Sequence, residues 1–146
     1  MLDRILQTIG HNLQNLDVDY QQVKLNGNGW YNGYVNFFKI GQLGILEVVD
    51  ARKKTKPVGY EAIANVPNGF MPDSDEYVNR GYFSPSSGNA RSCTVNIVTS
   101  GKVFLGGFDM EPSYGADAVL IYKIKVGGVT DVTFIVLPDK KGVILC

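Results

Sequence analysis

The chain has 146 residues, which is enough for one domain with a hydrophobic core and a short appendage. Basic and acidic residues number 14 each, and this balance argues against a dedicated nucleic-acid binder, which carries a basic excess. No apolar run reaches the ~18 residues of a membrane-spanning helix, and the N-terminus lacks the basic and apolar regions of a secretory signal. The aromatic content of 11% and the 17 glycines are typical of a turn-rich β protein.

Apolar residues recur along residues 1–24 in steps that alternate between four and three. This is a heptad repeat, whose 3.5-residue period keeps one seam facing a partner helix. We therefore predict an N-terminal helical stem over residues 1–25 that forms a coiled coil, and leucine at a with isoleucine at d favours trimers or tetramers over dimers. The alternative is an amphipathic helix that packs on its own sheet. The predicted oligomer seam consists of Leu2, Leu6, Ile9, Leu13, Leu16, Tyr20 and Val23.

Residues 26–29, Asn-Gly-Asn-Gly, tolerate left-handed backbone, and we place the boundary between the stem and a head domain, residues 26–146, at this point. Beyond it, short runs of β-branched and aromatic residues recur about every ten residues, with turn residues between them. This spacing is typical of an antiparallel β-sandwich or jelly roll. The predicted strands are 35–40, 43–50, 58–66, 77–83, 91–98, 103–105, 118–126, 129–137 and 143–145.

The predicted strand 43–50 carries apolar residues on both of its faces. Ile45 and Val49 lie on one face, and Leu46 and Val48 lie on the other. A strand of this kind is normally covered on both sides. In a small β domain, we expect a neighbouring subunit to supply the second cover.

The sequence shows no catalytic set. The only histidine, His11, falls on the outer face of the heptad repeat, so we expect no Cys–His nucleophile. Cys93 alternates with Val95 and Ile97 and is predicted to be a small buried hydrophobe. One histidine and two distant cysteines do not make a zinc site, and the acidic run 73–76 lacks the spacing of a calcium loop. We therefore expect no enzyme activity, no cofactor and no metal.

Two segments resemble phage tail proteins. Residues 63–72, Ile-Ala-Asn-Val-Pro-Asn-Gly-Phe-Met-Pro, resemble the strand and "LP-x-G-[FY]-x-P" element of phage tail-fibre and baseplate proteins. In those proteins a strand pair follows, with a turn similar to residues 99–103, and residues 33–41 resemble their opening strand and hairpin. The resemblance covers roughly residues 33–105, and it implies a receptor-binding head domain of a tailed phage that infects Gram-positive bacteria.

The resemblance also implies a partner and a location. Such heads are trimeric β-sandwiches at the tip of a stalk, in the tail tip or baseplate of the virion, and are made in the host cytoplasm. They attach to host cell-wall polysaccharide and contact other tail or baseplate proteins, without nucleic acid or membrane insertion. Three heads on one stem raise avidity without new contacts. Two alternatives stay open: a structural trimeric adaptor that binds another protein, and a glycan depolymerase that uses Asp73, Asp75 or Glu76.

Sugar binding needs an aromatic face for the apolar side of the ring and planar polar groups for its hydroxyls. The segments 73–82 and 109–114 mix acids, tyrosine and glycine in this way, although core packing is the ordinary role of an aromatic residue. The predicted saccharide-binding residues are Asp73, Asp75, Tyr77, Arg80, Tyr82, Asp109 and Tyr114.

Overall fold

The protein is almost entirely β-structure in the computed structural model. The structure describes residues 2, 4, 17–27, 29–84, 91–107, 114–126, 134–136 and 143–145. Every strand pair among these residues is antiparallel. The described strands are β1 (Asp19–Lys24), β2 (Trp30–Tyr31), β3 (Tyr34–Ile40), β4 (Leu43–Lys53), β5 (Tyr60–Asn65), β6 (Tyr77–Ser84), β7 (Arg91–Val98), β8 (Lys102–Gly106), β9 (Gly115–Lys123), β10 (Phe134–Val136) and β11 (Val143–Leu145).

One curved sheet contains all of the described strands except β10 and β11, which pair with each other. Its strand order is β1-β3-β4-β9-β6-β7-β8-β5, and β2 pairs with the far end of β4. The two end strands approach each other, since the backbone N–H of Asn26 donates to the carbonyl of Ile63 at 2.7 Å. Bulges in β4, between Val48 and Ala51, and in β5 accompany this curvature. The fold is therefore nearly a barrel, which corrects the predicted two-sheet sandwich.

The predicted helix is wrong at its C-terminal end, because Asp19–Lys24 form β1 and pair with β3. Tyr20 faces outward, with its ring centroid 5.0 Å from that of Phe38, whereas Val23 packs against the core, so the two do not share a helical seam. Tyrosine and valine favour strands, and pairing with β3 outweighs the heptad pattern here. Leu2 and Arg4 are exposed and have helical backbone conformation, but no helix has bounds within the described residues. The seam positions Leu6, Ile9, Leu13 and Leu16 lie outside them.

The core lies inside the curved sheet and follows the predicted alternation. In β9, Leu120 and Tyr122 are buried while their neighbours are exposed, and Tyr122 donates its hydroxyl to the carbonyl of Phe70 at 2.7 Å. Cys93 is buried as predicted, and burial raises the pKa of its thiol to about 11. No helix among the described residues is long and apolar enough to cross a membrane.

Tight turns form at residues 67–70 and 98–101, in and beside the segments 63–72 and 99–103 that carry the resemblance. Phe70 donates its backbone N–H to Pro67, and Gly101 donates to Val98. The basic run of residues 52–57 has the composition of a solvated loop, but its first two residues belong to β4, which extends through Lys53. The predicted strand 129–137 lies mostly outside the described residues. Its described part, residues 134–136, forms β10.

Candidate functional site: a groove between β4, β6 and β9

A groove opens on the outer surface where β6 and β9 separate. The two strands pair only along Gly81–Ser84. At Gly81 they are so close that a Cβ atom would lie 2.5 Å from that of Ala118, and glycine is therefore required there. Beyond this point the Asn79 side chain donates to the carbonyl of Val119 at 2.7 Å, which satisfies a group that the β6 backbone no longer reaches. The strand fork thus forms a gap without leaving this carbonyl unpaired.

The groove has a volume of about 330 Å³ and mixed chemistry. Tyr82 is 63% exposed, Arg80 and Asp117 are also exposed, and Glu47 is half-buried. Tyr82 lies directly opposite Asp117 in the strand register. Arg80 is exposed and forms no ion pair among the described residues. The lining residues are Glu47, Val48, Asn79, Arg80, Gly81, Tyr82, Asp117, Ala118 and Val119.

The β4 bulge fixes one wall of this groove. Asp50 adopts a left-handed backbone with φ of 47° and donates its N–H to Oδ1 of Asp117 at 3.0 Å. Its own carboxylate accepts hydrogen bonds from Asn32, at 2.5 Å, and from Arg52, at 3.1 Å. A non-glycine residue with positive φ is uncommon and persists where its surroundings hold it. The Asp117 carboxylate is therefore held in place by a hydrogen bond from the Asp50 backbone, whose own conformation is fixed by the bulge.

This arrangement can bind a neutral polar ligand with one apolar face. A tyrosine ring at the surface offers a stacking platform. Carboxylates accept hydrogen bonds from hydroxyl groups, and a guanidinium donates several in a fixed fork. The combination of Tyr82, Arg80, Glu47 and Asp117 is suited to a saccharide.

The structure divides the predicted saccharide-binding residues between different places. Arg80 and Tyr82 line the groove together. Tyr114 packs its ring against Phe83, with centroids 5.6 Å apart, and Asp109 lies outside the described residues.

Asp73, Asp75 and Tyr77 form local hydrogen bonds away from the groove. The hydroxyl of Tyr77 donates to Asp73 at 2.6 Å, and this bond raises the pKa of Tyr77. Oδ1 of Asp75 accepts the backbone N–H of Thr99 at 2.6 Å and its hydroxyl at 2.8 Å, and these bonds lower the pKa of Asp75. A depressed pKa is the opposite of what a general acid needs, so Asp75 does not support the depolymerase alternative in that role.

Sequence reasoning missed Glu47, Asn79 and Asp117, because the groove forms where β9 lies between β4 and β6, and β9 is distant in the chain from both. One signal was present, since Asp117 lies between two alanines at the start of a strongly alternating strand. The described residues contain no group of three or more histidine, cysteine or acidic side chains that could hold a metal ion.

Replacing Asp75 with asparagine is expected to reduce the loss of stability that the protein shows as the pH falls from 7 to 3. Because the folded-state pKa of Asp75 is lowered, its contribution to stability is present above the unfolded-state pKa of about 3.8. It is lost as the pH falls through the folded-state value. Urea unfolding at pH 7 and pH 3 should therefore show a smaller loss in the Asp75→Asn variant than in the native chain. The matched control is Asp19→Asn at an exposed position in β1; an equal loss in the native chain and in Asp75→Asn would contradict the role of the Thr99 bonds.

Comparison with known proteins shows the fold. No family model matches the chain, and no curated protein does. The head domain of the lactococcal phage bIL170, a receptor-binding domain, matches over 73% of this chain and 100% of its own length, with a TM-score of 0.59 and 17% identity. The receptor-binding protein gp15 of Listeria phage PSA matches over 86% of this chain and 76% of its own length, with a TM-score of 0.56 and 17% identity.

The described fold is therefore that of phage receptor-binding head domains, as the resemblance of residues 33–41 and 63–72 predicted.

Proposed function

We propose that this chain is a receptor-binding head domain that attaches a phage virion to saccharide on the host cell surface, without enzymatic activity. The fold shared with two phage receptor-binding proteins supports receptor binding. The observation that carries the proposal is the groove on this fold, in which an exposed tyrosine, an arginine without an ion pair among the described residues, and two acidic residues come together.

Saccharide is the receptor class that fits this groove. Tyr82 presents an aromatic face to the apolar side of a sugar ring, while Arg80 and Asp117 offer a donor and an acceptor to its hydroxyls. Asp117 is held by the backbone of Asp50, so little conformational freedom is lost when a ligand binds there. Such a site is open and shallow, and a single copy is expected to bind weakly.

The proposal includes a homotrimer in the tail tip or baseplate of the virion. The apolar residues that precede β1, from Leu2 to Leu16, retain the heptad spacing on which this part of the proposal rests. Three grooves on one particle raise the effective affinity for a repeating wall polymer. The same stem would join the head to other tail proteins.

Binding of the purified chain to bacterial cell walls tests the proposal. Walls from lactococcal and Listeria strains, and saccharides released from them, are the probes. We expect the native chain to bind walls of at least one strain, and Arg80→Ala and Tyr82→Ala each to weaken binding about tenfold or more, equivalent to about 1.4 kcal/mol. Arg80→Lys keeps the charge but loses the fork of donors, and it should bind with intermediate strength.

Tyr60→Ala is the matched control for Tyr82→Ala, because Tyr60 is 55% exposed but lies on β5, outside the groove. It should bind walls as the native chain does. Equal binding by Tyr82→Ala and Tyr60→Ala would refute the assignment of the groove. Release of reducing ends from the walls would instead indicate a depolymerase, and absence of wall binding across the panel, with binding to a tail protein, would indicate an adaptor.

A further inference from the structure

An apolar patch covers one end of the outer face of β1, β3, β4 and β9, beside a polar row that contains Gln22, Asn36 and Glu47. The strand register aligns Tyr20 with Phe38, Phe38 with Ile45, and Ile45 with Ile121. All four side chains point away from the core, and Tyr20 and Ile121 are 54% and 60% exposed. They form one continuous row across four strands.

A second outward row extends this patch. Ile40 is the register partner of Leu43, which is 43% exposed, and Leu43 is the partner of Lys123. Lys123 is the only charged residue in the two rows. A shallow depression of about 470 Å³ lies where this patch meets β6, lined by Gln42, Leu43, Tyr77, Ile121, Tyr122 and Lys123. An exposed apolar surface that is continuous across four strands is typical of an interaction site.

The patch does not suit a saccharide. Sugar hydroxyls would lose their water against Phe38, Ile45 and Ile121, which offer no polar group in its place. The one hydroxyl of the row, on Tyr20, already donates to Asn36. It resembles instead the apolar core of an interface between identical subunits, which is depleted of charge. Two copies of this patch, in which Lys123 is the only charge, can meet with little like-charge repulsion.

The position of the patch favours a second copy as its occupant. Residues 1–16 carry the heptad stripe and end just before β1, which is the edge of this face. A seam at Leu16 would hold the copies together only four residues from Tyr20, a span of at most about 14 Å. Leu2 is 66% exposed, so at this residue the stripe is not packed on its own sheet.

We propose that this outward face, with Phe38, Ile45 and Ile121 at its centre, is the surface through which copies of the head contact each other. The inference rests on the homotrimer of the proposed function and assigns its contact surface. Val119, which is 47% exposed, lies next to Ile121 on the same face and also lines the groove. A neighbouring head seated on the patch therefore borders the groove and limits the length of polymer that fits in it.

Thiol labelling tests whether the face is covered in the assembled full chain. Ile121→Cys is made in a Cys146→Ser background, and its rate of reaction with a maleimide is compared with that of Val58→Cys. Val58 is 81% exposed and lies outside the patch. Cys93 is 3% exposed, so it adds only a slow background in either variant. We expect the thiol at position 121 to react at least about tenfold more slowly than the thiol at position 58.

Assembly provides the second measurement. Sedimentation velocity over a dilution series should show that Ile121→Lys and Ile45→Lys dissociate at a concentration at least about tenfold higher than the native chain does, whereas Val58→Lys does not. Fluorescence of the buried Trp30 verifies that each variant is folded. A monomeric native chain, or equal labelling rates at positions 121 and 58, would overturn the inference.

The two proposals fail separately. A native chain that assembles through this face but binds no cell wall would refute only the saccharide function. A trimer that binds walls through Arg80 but labels freely at position 121 would refute only the contact surface.

Discussion

Gly33→Ala is expected to lower the free energy of unfolding by about 3–4 kcal/mol, because the chain passes too close to β4 for any side chain at this point. Gly33 has a φ of 82°, and a Cβ atom on it would lie 2.0 Å from the carbonyl oxygen of Val49 and 2.6 Å from that of Asp50. Both contacts are with backbone, so no change of rotamer relieves them. Urea unfolding followed by Trp30 fluorescence measures the loss.

Gly41→Ala is the matched control for this prediction. Gly41 also has a positive φ, 60°, but no heavy atom lies within 4 Å of its added Cβ. Gly41→Ala should therefore lower the free energy of unfolding by only about 1–2 kcal/mol, the strain of a left-handed alanine. Equal losses in the two variants would mean that Gly33 is needed for its backbone conformation alone and not for close approach to β4.

The same contact links stability to the groove. Asp50, whose carbonyl the Gly33 variant would displace, donates to Asp117 in the groove wall. A folded Gly33→Ala protein is therefore expected to bind cell walls more weakly than Gly41→Ala does at equal concentrations of folded chain.

Most of the strand content was predictable from local patterns. The alternation in β7 and β9 specifies which residues face the core, and the turns at Gly69 and Gly101 follow from glycine at positive φ. Closure of the sheet was not predictable. Alternation shows which face of a strand is buried, but it does not show which other strand lies beside it. β9 inserts between β4 and β6, and nothing local to these strands encodes that order.

The helix prediction failed where two periods fit the same residues. Tyr20 and Val23 continue the heptad spacing, yet in a strand they point to opposite faces, one outward and one toward the core. Strand pairing with β3 and the hydrogen bond from the Tyr20 hydroxyl to Asn36, at 2.8 Å, favour the strand. A pattern of apolar residues alone does not contain those contacts.

The candidate site was predictable only where its residues are close in sequence. Arg80 and Tyr82 differ by two positions, so one strand places them on one face. Asp117 joins them through the pairing of β6 with β9. In the sequence, Asp75 resembled a ligand-binding acid. In the structure, its carboxylate accepts two hydrogen bonds from Thr99, and these bonds fasten it to the turn after β7.

Lys53→Met is expected to cost about 3–5 kcal/mol, because it removes one partner of a buried ion pair. The Lys53 ammonium contacts the Glu61 carboxylate, and their side chains are only 9% and 12% exposed. Without the cation, the Glu61 carboxylate keeps the hydrogen bond from the Val58 N–H at 3.1 Å but loses its charge partner in a poorly hydrated site. In a solvated loop, which the basic composition of residues 52–57 resembles, the same substitution would be nearly neutral.

The adjacent residue in β4 provides the control. Arg52 pairs with Asp50 at 3.1 Å, but these side chains are 35% and 39% exposed, so Arg52→Met should cost about 1 kcal/mol or less. In the double variant Lys53→Met with Glu61→Leu, much of the loss should be recovered, because no uncompensated charge stays buried. Chemical unfolding of the four proteins gives the comparison. If Lys53→Met were no more destabilising than Arg52→Met, the pair would be hydrated in solution and the basic run would behave as a loop after all.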